Sequence, residues 1–579
     1  MAEMPNREIA AALDELGDLY ELDGAISHRV LAYRNGAKAV REATRSVGAL
    51  AVEGKATELP GIGATLQEKI AALVTDGEIP ARAKLLSKYP MGLLDITRLP
   101  GVGPKRVRLM FTELGIDSLA SLKTAAEAQQ LRDVKGLGPK FEESVLAALA
   151  AGLGDKPAER ALLSKALAEG DAIVAGLRAH PSSNRVELAG SARRLADTVK
   201  DLDVIATADD PAALTAALGE LPEIESAGTA GENAAKGRTH SGLSIDLRVV
   251  EPDQFGNLLQ HFTGSARHNV RLRENAVKKG FHVSEYGILD DATGETLRCA
   301  TEEEVYAKLG LPYIEPELRE DRGELDPGFT PPALVRESDL KGDLHCHTVA
   351  SDGRNTIEEM AAEAIARGYE YLAITDHSAT HGFGNHVDPD MLKRQIERVR
   401  TVNAKLGDEL QLLIGTETNI LPDGSPDYDD ALLAELDWCI ASVHTAFQTP
   451  RAEMTKRMVA AAEHPWIDAI GHPSGRKLGR RPGYDVDLGA VIEAAAKAGT
   501  MLEINGAPDR RDLDDVHAKQ AAEAGVLILL DSDAHGTDRL ANVRWAVATA
   551  RRAWLTADAI ANTKPWPEFA KLRKRAKNR

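Results

Sequence analysis

Three carboxylates in the first half of the chain are spaced to work on metal ions. Asp201 and Asp203 stand in KDLDVIA, and positions i and i+2 of a strand point to one face, so the two converge. Side by side they repel each other, a poor arrangement without a cation between them. Asp246 lies in GLSIDLRVV, where Ser244, Asp246 and Arg248 share one face and Ile245, Leu247 and Val249 the other. Three carboxylates from two strands can hold a pair of Mg²⁺ or Mn²⁺ ions for in-line phosphoryl transfer. Upstream, Val186 and Leu188 alternate into Gly190-Ser191, followed by Arg193 and Arg194. A Gly-Ser turn backed by guanidinium groups suits a polyphosphate.

A second set of candidate ligands occupies the C-terminal part. It comprises His345 and His347 in DLHCHT, Asp352 in SDG, His377 in TDH, Glu417 in GTET, His444 in SVH, His472 in GHP, and Asp533 and His535 in SDAH. One ion takes about four to six ligands, so this many implies two or three ions. Mixed imidazole and carboxylate suits Zn²⁺ or Mn²⁺. A lone histidine at a strand end is commonly structural. Here the placement repeats at the ends of apolar strand candidates over 342–348, 371–377, 412–420, 438–444, 468–472, 501–505 and 526–533. Helical stretches such as TIEEMAAEAIARG separate them. Repeated strand-helix units predict a barrel of parallel strands with its functional groups at the strands' C-terminal ends.

The elements ahead of the carboxylates are helical. Ile9, Leu13, Leu16 and Leu19 recur at helical spacing, as do Ile26, Val30, Tyr33, Ala37 and Val40. A turn then recurs three times: Gly61 and Gly63 in LPGIG, Gly101 and Gly103 in LPGVGPK, Gly136 and Gly138 in KGLGPK. Gly-hydrophobic-Gly between short helices is the helix-hairpin-helix signature. Its glycines let backbone N–H groups approach a DNA phosphate, and the next helix offers its positive end. Such contacts ignore base sequence and need little side-chain charge. They are compatible with a formal net charge of −19, which excludes a wholesale nucleic-acid coat.

At 579 residues the chain is too long for one core. The divisions expected are a helical domain with the first hairpin over 1–85, a second helix-hairpin-helix domain over 86–155, a domain carrying the three carboxylates over 156–260, a smaller lobe over 261–315, a charged, proline-punctuated linker over 316–338 and the barrel over 339–579. The three cysteines are far apart and suggest no disulfide framework. The acidic N-terminus lacks a signal peptide's apolar core, and no run approaches the about 20 apolar residues of a membrane helix. A cytoplasmic monomer with no membrane attachment is expected. The basic C-terminal KLRKRAKNR reads as a solvated tail.

Taken together, G-S-x-R-R, D-L-D and S-I-D-L-R resemble the palm of family X DNA polymerases, the DNA polymerase beta group. HFTGSARHNVRLR (261–273) is similar to that family's Y-F-T-G-S nucleotide-binding segment. The resemblance implies that Ser191 and Arg194 contact the triphosphate, that Asp201 and Asp203 bridge both metals, and that Asp246 ligates the catalytic one. Phe262 and Gly264 would lie near the sugar, Asn269 at the base edge and Arg273 at the template minor groove. Lys69, with His28 and Tyr33, matches lyase-domain positions where a lysine forms a Schiff base with 5′-deoxyribose phosphate. The family's neighbouring lysines read Arg29 and Thr65 here. Other departures are Lys200 for glycine, Ser244 for the arginine that orients the third aspartate, and His261 for tyrosine.

The C-terminal motifs resemble the PHP (polymerase and histidinol phosphatase) domain, a distorted seven-stranded barrel with a trinuclear metal site. The fold class expected is thus multidomain α/β: a helix-hairpin-helix region, a mixed-sheet nucleotidyltransferase palm and a PHP barrel. The resemblance implies a repair polymerase that fills short gaps in DNA from deoxynucleoside triphosphates. Its barrel would act as a Mn²⁺-dependent 3′→5′ exonuclease, with abasic-site cleavage or 3′-end cleaning. The alternatives are a PHP phosphoesterase for small phosphates, and a DNA-end-binding nuclease with a weak polymerase site.

Overall fold

The computed structural model describes residues 4–97, 99, 101–151, 160–382 and 384–578. Pro100 of the second hairpin and the expected boundary at 155 lie outside the described residues. Contacts divide the chain into two units: Met1–Glu159 with Ala168–Val186 and Lys200–Val249, and Arg160–Leu167 with Glu187–Val199 and Val250–Arg579.

The first unit opens on helices Asn6–Leu22 and Ser27–Glu42. Ile9, Leu13, Leu16 and Leu19 are fully buried against a face that includes Val30, Tyr33 and Val40. Each such burial contributes about 1.5–3 kcal/mol, which sets the packing of two otherwise polar helices. The three Gly-hydrophobic-Gly turns fold alike. In each, the residue between the glycines donates its N–H three residues back, Ile62 to Leu59 O, Val102 to Leu99 O and Leu137 to Val134 O, and buries its side chain.

The carboxylates sit in a mixed five-stranded sheet formed by β1 (Ser183–Leu188), β2 (Asp201–Ala208), β3 (Ile224–Ala227), β4 (Ala234–Thr239) and β5 (Ser244–Val249), in the order β1-β2-β5-β4-β3. β2 and β5 run parallel; β5–β4 and β4–β3 are antiparallel. Leu202, Val204, Ile245 and Leu247 fill the inner face, leaving the acids on the other.

In the second unit, helix Ala266–Val277 and a small antiparallel sheet share a core with Tyr306, Ile314, Leu318, Leu325 and Leu334, and helix Phe255–Thr263 packs alongside. Part of the segment expected as a linker is therefore built into this core. Arg319 is fully buried, pairs with Glu302 and donates to Ile314 O, while Glu324 is bonded to His268 Nδ1 at 2.7 Å. The charge content of 316–338 suggests solvation, but these charges are matched by residues outside the segment.

The barrel strands are β6 (Gly342–Cys346), β7 (Tyr371–Ile374), β8 (Gln411–Asn419), β9 (Trp438–Ser442), β10 (Ala469–Ile470), β11 (Met501–Asn505) and β12 (Ile528–Asp531). All neighbours are parallel and in sequence order. Contacts just beyond the ends nearly close the ring: His347 N donates to Ala534 O at 2.8 Å. Its strands are buried on both faces, as a parallel barrel wrapped by helices requires.

Candidate metal centre and polymerase site

The predicted barrel ligands gather around Glu417. Its carboxylate lies 3.3 Å from His345 Nε2, 3.6 Å from His347 Nε2, 2.8 Å from His377 Nδ1, 3.2 Å from His444 Nε2 and 3.1 Å from His472 Nε2. Asp533 is 3.3 Å from His347 Nε2, and Asp352 is 3.3 Å from His535 Nε2. Possible ligand atoms form three compact groups: His347, Asp352, His377 and His535; His345, His347 and Asp533; His377, Glu417 and His444. His347, His377 and the carboxylates between them link these groups.

Their placement follows from the barrel. His345 and Glu417 lie near the C-terminal ends of their strands, and the other candidates lie in the segments that follow strand ends. His472 and Asp533 adopt φ of +29° and +52°, left-handed values that cost a non-glycine residue energy and recur at functional sites. Gly353 packs where a Cβ would strike His347 O, which lets the Asp352 loop fold over that histidine. His345 Nδ1 is held at 2.6 Å by Glu503, leaving Nε2 to point at Glu417. Asn505 Nδ2 ties Glu503 to Asp533 at 3.2 and 3.1 Å. Glu503 and Asn505 give no sequence signal because they lie inside an apolar strand run, LEIN. His381, buried 4.7 Å ring to ring from His377, gives none as a loop residue.

The electrostatics fit multivalent cations. His345 Nε2, both ring nitrogens of His347 and Glu417 Oε2 are buried without a hydrogen-bond partner. Orphans of this kind cost about 1–3 kcal/mol each, and metal coordination would relieve them. Burial opposes ionisation of Glu417, yet His444, His345 and His377 hold its carboxyl well below the usual range. Burial, then His535 and His377, pushes His347 down to about 4; burial and the Arg510 charge push His472 down to about 3. These two imidazoles are therefore neutral at pH 7, the form that binds metal.

In the first unit, parallel pairing of β2 with β5 sets Asp203 directly beside Asp246 and Asp201 beside Ser244. All three acids are half-buried. Arg248 grips Asp246 bidentately, Nε to Oδ1 at 2.8 Å and Nη2 to Oδ2 at 3.1 Å. Arg248 lies two residues beyond Asp246 on the strand, on the face that Ser244 also shares.

The remaining predicted nucleotide contacts belong to the second unit. Arg194 donates to Thr263 O and pairs with Glu320 at 3.0 Å, while Ser191 lies in the short helical turn Gly190–Arg193. Asn269 spends its amide on the turn before it, donating to His261 O at 2.6 Å and accepting from Gln260. Gly264 is required there, since a Cβ would collide with the Asn269 side chain. Phe262 is half-buried and Arg273 exposed.

At the front end, Gly61, Gly101 and Gly136 take φ of +92°, +78° and +100°. The second glycines do not, and a Cβ on Gly63, Gly103 or Gly138 would meet nothing within 4 Å. Their backbones are open to a ligand. Gly63→Ala, Gly103→Ala and Gly138→Ala combined should leave the melting temperature nearly unchanged. They should weaken binding to gapped duplex roughly a hundredfold, at about 1 kcal/mol for each of the lost contacts. Anisotropy titration beside a thermal melt checks this. Gly136→Ala alone should instead destabilise the turn by about 1–2 kcal/mol. Lys69 is half-buried, His28 exposed, and Tyr33 buried in a stack on Tyr20 at 5.2 Å.

Comparisons with known proteins agree with this geometry. Family models match for a helix-hairpin-helix domain over 4–79, a SAM-like helix-hairpin-helix tandem over 93–151, the DNA polymerase beta thumb over 258–320 and the PHP domain over 343–507. The chain is 36% identical over 574 residues to the DNA polymerase/3′-5′ exonuclease PolX of Bacillus subtilis (strain 168), covering 99% of this chain and 100% of that one. A probable phosphatase of Thermoanaerobacter sp. (strain X514) is 32% identical over 239 residues, 38% of this chain and 89% of the relative. A probable phosphatase of Edwardsiella ictaluri (strain 93-146) is 31% identical over 38% of this chain and 90% of its own length. With helix-hairpin-helix, thumb and PHP models all matched and one relative aligned end to end, the chain belongs to the PolX family of family X DNA polymerases carrying a PHP domain.

Proposed function

We propose that the chain fills short DNA gaps at Asp201, Asp203 and Asp246 and trims 3′ ends at the Glu417 centre. The observation that carries the reading is the pair of separate ligand sets: acids in register on β2 and β5, and a buried carboxylate ringed by five histidines in the barrel. In the polymerase site Asp201, Asp203 and Asp246 would hold two Mg²⁺ or Mn²⁺ ions, which would supply charge stabilisation for phosphoryl transfer. Arg248 fixes the Asp246 carboxylate, so the ligand is oriented before substrate arrives. Ser191 and Arg194 would take the triphosphate, with Arg194 exchanging Glu320 for phosphate oxygens. Phe262, Gly264 and Arg273 would border the sugar and template, and Asn269 would shape that border by holding the His261–Gly264 turn.

In the barrel, the ligand set around Glu417 would hold two or three Mn²⁺ or Zn²⁺ ions. Such ions supply Lewis-acid stabilisation and an activated water for phosphodiester hydrolysis. Glu503 holds His345 in one tautomer, and Asn505 fixes Asp533, so the cage keeps its shape when loaded. Small-phosphate hydrolysis is the second reading, since the phosphatase relatives align with only 38% of the chain. Comparing cleavage of a 3′-recessed primer with that of histidinol phosphate tests it. The PolX reading expects primer trimming to dominate in kcat/KM, and a preference for the small ester would sink it.

Lys69 is a proposed lyase nucleophile, as an amine suits an aldehydic sugar. Borohydride trapping on 5′-deoxyribose phosphate DNA should give a covalent adduct that Lys69→Ala loses. An undiminished adduct would assign that chemistry to another residue.

A further inference from the structure

The turn that follows Arg194 is bolted to the mouth of the barrel, and both belong to the second unit. Asp197 Oδ2 lies 2.9 Å from Arg476 Nη2, and its Oδ1 lies 3.3 Å from Arg511 Nη1. Arg511 Nη2 also donates to Leu195 O at 3.0 Å. We propose that Asp197, though it belongs to the polymerase part of the sequence, is a positioning residue of the exonuclease, acting through Arg476 on the loop that carries Arg510. The proposal rests on the exonuclease reading of the Glu417 centre.

Arg476 is the staple. Its Nε donates to Arg510 O at 3.0 Å, its Nη2 donates to Arg511 O, and its backbone N–H reaches Asp512 Oδ2 at 3.3 Å. Asp512 accepts from Ser474 N as well, joining this loop to the segment after His472. Between these anchors, Arg510 Nε stands 3.6 Å from Asp533 Oδ2, buried and without a hydrogen-bond partner. The route from Asp197 to a metal-ligand candidate thus runs through two arginines and one short loop.

Two features show that the loop is held against its own preferences. Arg511 has a φ of +45°, a left-handed conformation unfavourable to a residue with a Cβ. Its guanidinium is 1% exposed, and burial pushes its pKa down to about 10, with Asp197 the leading opposing charge. Arg510, Arg511 and Arg476 bring three cations to one rim, beside a centre proposed to gather further positive charge. Asp197 is the carboxylate paired with both outer guanidinium groups, while Arg510 faces Asp533. Without it, Arg476 and Arg511 repel, the staple loosens and Arg510 loses its fixed place beside Asp533.

The test uses the full chain. Asp197→Asn keeps the shape and removes the charge. It should slow the turnover step of primer trimming about tenfold to a hundredfold, the penalty for misplacing an active-site group by about 1 Å. Bound metal by elemental analysis and the melting temperature should stay near wild type. Asp197→Glu should restore most of the rate. In a double-mutant cycle, Asp197→Asn and Arg476→Gln together should be no slower than the worse single variant, because both cut one path. Turnover within about twofold of wild type, a loss explained wholly by lost metal, or additive effects in the cycle would each overturn the role. If the wild-type chain trims no primer at all, the exonuclease reading itself has failed, a distinct result.

Discussion

Glu417→Gln should lower exonuclease turnover by about a thousandfold, roughly 4 kcal/mol of barrier, and should lower metal content as well. Five imidazoles lie within 3.6 Å of this one carboxylate. Its ionised form is strongly favoured by His444, His345 and His377 in spite of complete burial. The amide keeps the size and removes the negative charge that lets several cations share the cavity. It also places an NH₂ where a carboxylate oxygen stood, and that donor cannot ligate. Elemental analysis of the purified variant should show a clear loss of bound ion per chain relative to wild type. Full occupancy would remove Glu417 from the ligand set.

Asp203→Ala should abolish primer extension on a one-nucleotide gap, with a loss of about a thousandfold or more, roughly 4 kcal/mol. Asp203 lies in register with Asp246 across β2 and β5, so its removal leaves the second carboxylate without its neighbour. Arg248→Ala should have a smaller effect in the same direction. It would free Asp246 from a bidentate grip without removing a ligand, so added Mn²⁺ should recover part of the rate. If Arg248→Ala raised extension instead, the pair would act as a brake and not as a guide.

Much of this arrangement is legible in the sequence. The seven strand candidates appear as β6 to β12, because alternation of apolar strands with helices leaves a parallel barrel few other forms. Some strands end earlier than the apolar pattern suggests. The stretch 371–377 runs as a regular strand only as far as Ile374, and His377 pairs again beyond it through an isolated parallel bridge to Glu417. The D-L-D and S-I-D-L-R faces are readable from period-two alternation alone, and so is the presence of Arg248 on the Asp246 face. Its bidentate grip on Asp246 needs coordinates, because two residues on one face can turn toward or away from each other. The parts that stay hidden depend on long-range pairing. Arg194 meets Glu320, and Asp197 meets Arg476, across long stretches of chain. No local pattern reports such partners, which is why the charged stretch after Ile314 reads as solvated linker and is partly core.

Whether polymerisation and 3′ trimming use separate metal sites in one chain is tested most directly by measuring both rates on the same gapped duplex. Wild type, Asp203→Ala and Glu417→Gln are prepared alike, each confirmed folded by its melting curve. A crossed result is expected: Asp203→Ala trims the primer at near the wild-type rate and does not extend it, while Glu417→Gln extends and does not trim. If either substitution silences both activities in a folded chain, two independent centres are the wrong description.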